Sequence, residues 1–201
     1  MIKTSNEFGL KNFFDLQNVC GYSNPNIPGS EEKYKQCVTN TYENSISQIN
    51  DYFLSNFKII ERYQDVNKCN KKFGIRNFRE PKTYSNVYYG NATGYCTLYG
   101  GPFWPYGSIN ILSDGSVITG ISYLVHGPYD GISIVFDTNG PNKGPNRFGF
   151  DIFLYNTGTW VDNLCTSNSS SVYNGRGCYK YALKNQNPDD DTKGYWESLK
   201  F

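Results

Sequence analysis

The stretch FDTNGPNKGPNRFGFDIFLY, residues 136–155, decides how this chain is read. Its two ends are strand-like, and its middle is almost wholly Asn, Gly, Pro, Asp and Lys. Three uses fit that composition. Asp137 and Asp151 are a candidate carboxylate pair for acid–base work. They flank a single connection, however, whereas such pairs usually come from separate elements that face a cleft. Asp137, Asn139 and Asp151 are also candidate calcium ligands, because Asp-x-Asn-Gly opens like a calcium loop. The glycine arrives two residues early for an EF-hand, and no closing Glu follows. The third use is scaffolding. Asn139-Gly140 supplies the positive φ of a reversal, and Pro141 and Pro145 stiffen the excursion. Asn146 and Asp151 can bond loop amides, and Gly144 and Gly149 admit close backbone approach. Scaffolding is the preferred reading.

Working outward, apolar residues keep a period of two. GISIVFD (131–137) alternates Ile132, Ile134 and Phe136, and the far side of the excursion alternates Phe150, Ile152 and Leu154. Upstream, SINILSDGSVITGISYLV (108–125) reads as a hairpin with Asp114-Gly115 at its turn. Consecutive hairpins predict an antiparallel meander over 86–156. Before it, Tyr42, Ile46, Ile49, Phe53, Phe57 and Ile60 recur at helical steps, which predicts a helix from about 41 to 64 with Asn40 and Glu43 as a capping box. Ser5 is a candidate cap for a shorter helix over 5–17. Helices first and strands after give an α+β fold, with N-terminal helices packed on one face of an antiparallel sheet. The chain reads as one domain: a helical and loop part (1–85), the sheet (86–156) and a closing loop segment (157–201).

The six cysteines, Cys20, Cys37, Cys69, Cys96, Cys165 and Cys178, lack metal-site spacing, and the single histidine cannot supply a Cys/His zinc site. They are disulfide candidates and predict an exported protein. Cys165 with Cys178 and Cys20 with Cys37 are the local pairings. A net charge of +1 gives no overall pull towards nucleic acid or membrane. One basic run, 68–82, interleaves Lys68, Lys71, Lys72, Arg76, Arg79 and Lys82 with Phe73 and Phe78. It is either a solvated connection or a nucleic-acid contact. YGGPFWPYG (99–107) sets Phe103, Trp104 and Tyr106 on a Gly/Pro loop. These aromatics either plug the end of the sheet or stack on a sugar, as in a secreted adhesin or carbohydrate-binding module. His126 stands in a turn, and no G-x-S-x-G elbow is present, so no catalytic residues are expected.

A strand ending D-x-N-G, followed by G-P-N-x-x-G-x-D-x-F, resembles a motif of bacterial type IV pilin-like and pseudopilin globular domains. Here it is carried by Asp137, Asn139, Gly140, Gly144, Pro145, Asn146, Gly149, Asp151 and Phe153. LSDGSVI, GRGCYKYAL and GYWESLKF resemble the same family's preceding hairpin and closing segment. The resemblance covers about 108–201. It implies a minor pilin or pseudopilin of a type IV pilus or type II secretion-like filament, without a cofactor. Its partners would be other pilin subunits and, through an apolar N-terminal helix missing from this sequence, the inner membrane. Its place would be a filament at the cell surface.

Overall fold

A computed structural model of the chain describes residues 29, 32–33, 36–37, 40, 47–73, 84, 96, 108–124, 131–157, 159 and 161–199. The chain divides into two compact units, Met1–Phe57 and Lys58–Phe201. In the first unit, helix α1 spans Ser47–Ser55 and includes the buried Ile49 and Leu54. It ends because Asn56 folds back on it. The Asn56 side chain donates to the carbonyls of Tyr52 (2.8 Å) and Phe53 (3.2 Å) in the last turn. The Phe57 ring then closes edge-on against Phe53, 5.1 Å between centroids.

The helix predicted over 41–64 therefore stops early. Ile59–Tyr63 is strand β1, with the alternating burial of a half-covered strand. Ile60 continues the helical spacing of the apolar stripe by coincidence. It sits at a bulge in β1 and is 59% exposed. β-Branched Ile59-Ile60 suits an extended backbone, and pairing with the next strand outweighs the periodicity.

The second unit is built on an antiparallel sheet. β2 (Ile109–Leu112) pairs with β1 on one side and β3 (Val117–Thr119) on the other. β4 (Ser122–Leu124) and β3 lie end to end along the same side of β5 (Gly131–Asp137). They act as one strand interrupted at Gly120-Ile121, so the sheet is in effect five strands wide. β6 (Ile152–Asn156) completes it on the far side of β5, through five residue pairs from Ser133↔Asn156 to Asp137↔Ile152. The α+β class and the antiparallel meander of the sequence reading are both present.

Each face has its own cover. On one face Ile109, Ile111, Val117, Val135, Ile152 and Leu154 meet Cys69 in a common core, with Val66 and Phe73 packed against it. Val66, Cys69 and Phe73 belong to α2 (Val66–Phe73), an element the sequence reading took for a connection. Asp65 starts this helix by accepting the N–H groups of Asn67 (2.8 Å) and Lys68 (3.3 Å), and Lys71 and Lys72 sit at the favourable negative end of the helix dipole. The Cys69–Cys96 disulfide ties α2 to a distant part of the chain. On the other face Phe136 and Phe153 stack at 5.7 Å and meet the closing segment, which is more ordered than the predicted loop. That segment holds two short helices, α3 (Tyr179–Lys184) and α4 (Tyr195–Ser198), and the Cys165–Cys178 disulfide anticipated from sequence. Asn185, with φ +50°, ends α3 in the left-handed conformation, and its N–H returns to the helix carbonyls.

Candidate functional site

The 137–152 excursion is the node at which the sheet, the β2–β3 turn and the closing segment meet. Asp137, at the end of β5, is fully buried. Its Oδ1 accepts the N–H groups of Asn139 (3.1 Å) and Gly140 (2.8 Å), so the carboxylate itself turns the chain out of the strand. Asp151, at the other end, is 4% exposed. Its Oδ1 accepts from Arg147 N (2.7 Å), and its Oδ2 accepts from Asn146 N (2.7 Å) and Asn139 Nδ2 (3.3 Å). Burial raises the Asp151 pKa above its ordinary value, and the N–H groups of Arg147 and Asn146 and the Asn139 amide work against that shift. Thr138 N donates to Asp151 O (2.9 Å) and closes the neck of the loop.

The glycines and Asn146 make this path possible. Gly140 and Gly149 have φ of +82° and +83°, and Asn146 adopts +52°. The Gly144–Pro145 peptide is cis. A Cβ on Gly140 would lie 1.9 Å from the Gly115 carbonyl oxygen, so the excursion rests directly on the β2–β3 turn. A Cβ on Gly149 would be 3.0 Å from Cys178 Sγ and 2.9 Å from the Tyr84 ring, which brings the closing segment equally close.

Three residues that sequence reasoning passed over finish the node. The Tyr195 hydroxyl donates to Gly149 O from a fully buried position. Arg147 Nη2 donates to Tyr84 O (2.6 Å), and its guanidinium lies 3.9 Å above the Phe150 ring. Tyr84 stacks on Tyr195 with centroids 6.1 Å apart. Tyr195 had one signal, its place in the closing GYWESLKF. Tyr84 had none, because no spacing relates residue 84 to residues 147 and 195.

All eight scaffold candidates, Asp137, Asn139, Gly140, Gly144, Pro145, Asn146, Gly149 and Asp151, lie on this excursion. The Asp137 and Asp151 oxygens named above are directed at N–H groups, which is the geometry of capped turns. No group of three or more His, Cys, Asp or Glu side chains among the described residues is arranged to hold a metal. Of the basic run, Lys68, Lys71 and Lys72 are exposed on α2, and Lys72 pairs with Glu61 at 3.0 Å. Arg76, Phe78, Arg79 and Lys82, the aromatic loop with Phe103, Trp104 and Tyr106, His126 and Cys20 all lie outside the described residues. Cys37 is disulfide-bonded. No helix among the described residues is long and apolar enough to cross a membrane.

No known protein family, no curated protein and no solved structure matches this chain.

Proposed function

We propose that this chain is the globular domain of a filament subunit of the type IV pilin-like kind, a minor pilin or pseudopilin that acts by assembly and surface presentation and not by chemistry. One observation supports the reading above others: the resembling residues are used together. The excursion from Asp137 to Asp151, buried at Asp137, Gly140, Asn146 and Asp151, joins the last two strands of the sheet to the disulfide-closed segment behind it. That is the scaffolding use read from these residues in the sequence. The disulfides agree with an oxidising, extracellular setting. The finer expectation, N-terminal helices packed along one face of the sheet, is part of this proposal. So are the partners: other subunits of the filament and, before assembly, the inner membrane.

The test is immunogold labelling of sheared surface filaments with antiserum raised against the chain, in the source cells and in a deletion strain. Decoration that disappears in the deletion strain is the expected result. Chain recovered only as free protein, with undecorated filaments, overturns the reading.

A further inference from the structure

The sequence contains two Asn-Gly pairs, Asn139-Gly140 and Asn174-Gly175. Such a pair carries both partners of a ring closure. The glycine nitrogen can attack the asparagine carboxamide carbon in the same chain, and the missing Cβ leaves that nitrogen open to approach.

The fold treats the two pairs differently. Asn174 is fully buried, and both ends of its carboxamide are held. Its Oδ1 accepts from Thr166 N (3.2 Å), and its Nδ2 donates to Thr166 O (2.8 Å). Gly175 N donates to Leu164 O (2.6 Å), and a Cβ on Gly175 would lie 2.5 Å from Phe148 O. Turning the Asn174 carboxamide towards Gly175 would break both of its bonds to Thr166 in the interior. Asn139 is only partly buried. Its Nδ2 reaches Asp151 Oδ2 at 3.3 Å and Gly144 O at 3.5 Å, both long for such bonds. Its Oδ1 has no donor among the described residues. The Gly140 N–H points at Asp137 Oδ1 (2.8 Å), so the nitrogen that must lose a proton already donates it to a carboxylate.

We propose that Asn139 is a self-modification site: in the native loop it cyclises onto Gly140 and is converted to aspartate and isoaspartate, while the fold protects Asn174. The Gly140 nitrogen forms the new bond to Asn139 Cγ and passes its proton to Asp137 Oδ1. The Cγ–Nδ2 bond breaks, its electron pair stays on nitrogen, and a proton from water lets that nitrogen leave as ammonia. Water then opens the succinimide at either carbonyl. No oxidant or reductant is needed. The change is one-way and loosens the excursion. The aspartate product sets a carboxylate where Nδ2 had donated to the buried Asp151. The isoaspartate product lengthens the main chain where Gly140 has no spare room against Gly115 O. This inference needs only the loop and stands apart from the filament reading.

The experiment incubates the whole chain at mildly alkaline pH, native and in urea. Digestion in mild acid and mass spectrometry then follow the peptides that carry residues 139 and 174, with isoaspartate distinguished by fragmentation. In urea the two sites should react at similar rates. In the native chain Asn174 should slow by about tenfold or more, while Asn139 stays within about threefold of its rate in urea. Native Asn139 slowed as much as Asn174, or native Asn174 as fast as Asn139, overturns the proposal. Asn139→Gln, which would have to close a larger ring, should stay unmodified over the same incubation, and conversion there at the wild-type rate overturns it too. Ion exchange separates the modified fraction by its added negative charge. That fraction, and Asn139→Asp, should melt about 5 °C or more below the unmodified chain. If Asn139→Asp does not fold, the separated fraction decides, and melting equal to that of the unmodified chain overturns the loosening.

Discussion

The turn between β2 and β3 and the excursion between β5 and β6 use the same parts and touch each other. Each opens on an aspartate that bonds N–H groups ahead of it: Asp114 accepts from Ser116 N (2.9 Å), and Asp137 from Asn139 and Gly140. Each places a glycine in the left-handed region, Gly115 at φ +89° and Gly140 at +82°. The short turn faces solvent and closes on itself through Leu112 and Ser116. The long one is buried at Asp137, Gly140, Asn146 and Asp151. Shared chemistry with different burial gives different consequences, because a polar group that water can reach has a substitute partner and a buried one has none.

The sharpest way to break this comparison is a matched pair of glycine substitutions. A Cβ on Gly115 meets nothing within 4 Å, so Gly115→Ala should cost only the left-handed penalty of about 1–2 kcal/mol. At Gly140 the added Cβ would stand 1.9 Å from Gly115 O, a main-chain atom that cannot swing aside. Gly140→Ala should therefore cost about 4 kcal/mol or more, enough to prevent folding of a marginally stable domain. Urea unfolding of both variants decides it. Equal costs would mean that the two connections do not bear on one another.

Next in size is the aspartate pair. Asp151→Ala leaves three donors without their acceptor inside the loop, which should cost about 3 kcal/mol, while Asp114→Ala exposes its donors to water and should cost far less. Their pH dependences should run in opposite directions. Asp114 has its pKa lowered below 3.8, chiefly by the Ser116 hydroxyl. The stability it contributes is present above 3.8 and is lost as pH falls through the folded value, so the cost of Asp114→Ala should fade in acid. Asp151 has its pKa raised above 3.8, chiefly by burial. The folded state then holds the proton more tightly than the unfolded state, and the linked stability is full below 3.8 and declines as pH rises through the folded value. The cost of Asp151→Ala should accordingly be larger at pH 3 than at pH 7. Unfolding curves at both pH values check the two signs, and parallel slopes would show that burial does not distinguish the sites.

These contrasts also explain what was legible in the sequence. The period of two over 108–124 and 131–156 gave the meander, because alternation reports directly which side of a strand is covered. The Asp, Asn and Gly of the excursion could be assigned to scaffolding because each has a local backbone reason to be there. Ile59 and Ile60 misled, since a strand five residues long that continues a helical spacing cannot be told from a last helical turn by periodicity alone. The end signal was present in Asn56, but an asparagine inside a periodic run is weak evidence until its side chain is seen to cap. α2 was hidden because its apolar residues are few and its lysines dominate. The Tyr84–Arg147–Tyr195 cluster was beyond sequence reading, since its members come from three remote segments.

The smallest effect gives the most discriminating test. Tyr195→Phe removes one buried hydroxyl that donates to Gly149 O and should cost about 1–1.5 kcal/mol, with the ring still packed against Tyr84 and Trp196. Its value lies in combination with the aspartates. If the excursion is one mechanical unit, Asp151→Ala loosens the segment that presents Gly149, and the hydroxyl then has less to hold. The double variant should cost less than the sum of its parts, with a coupling of about 0.5–1 kcal/mol. Asp114 lies on the other connection, and Tyr195→Phe combined with Asp114→Ala should be additive within about 0.3–0.5 kcal/mol. Coupling to Asp114 as strong as to Asp151 would show that the exposed turn belongs to the same rigid body as the buried one. The division between them would then rest on solvent contact alone.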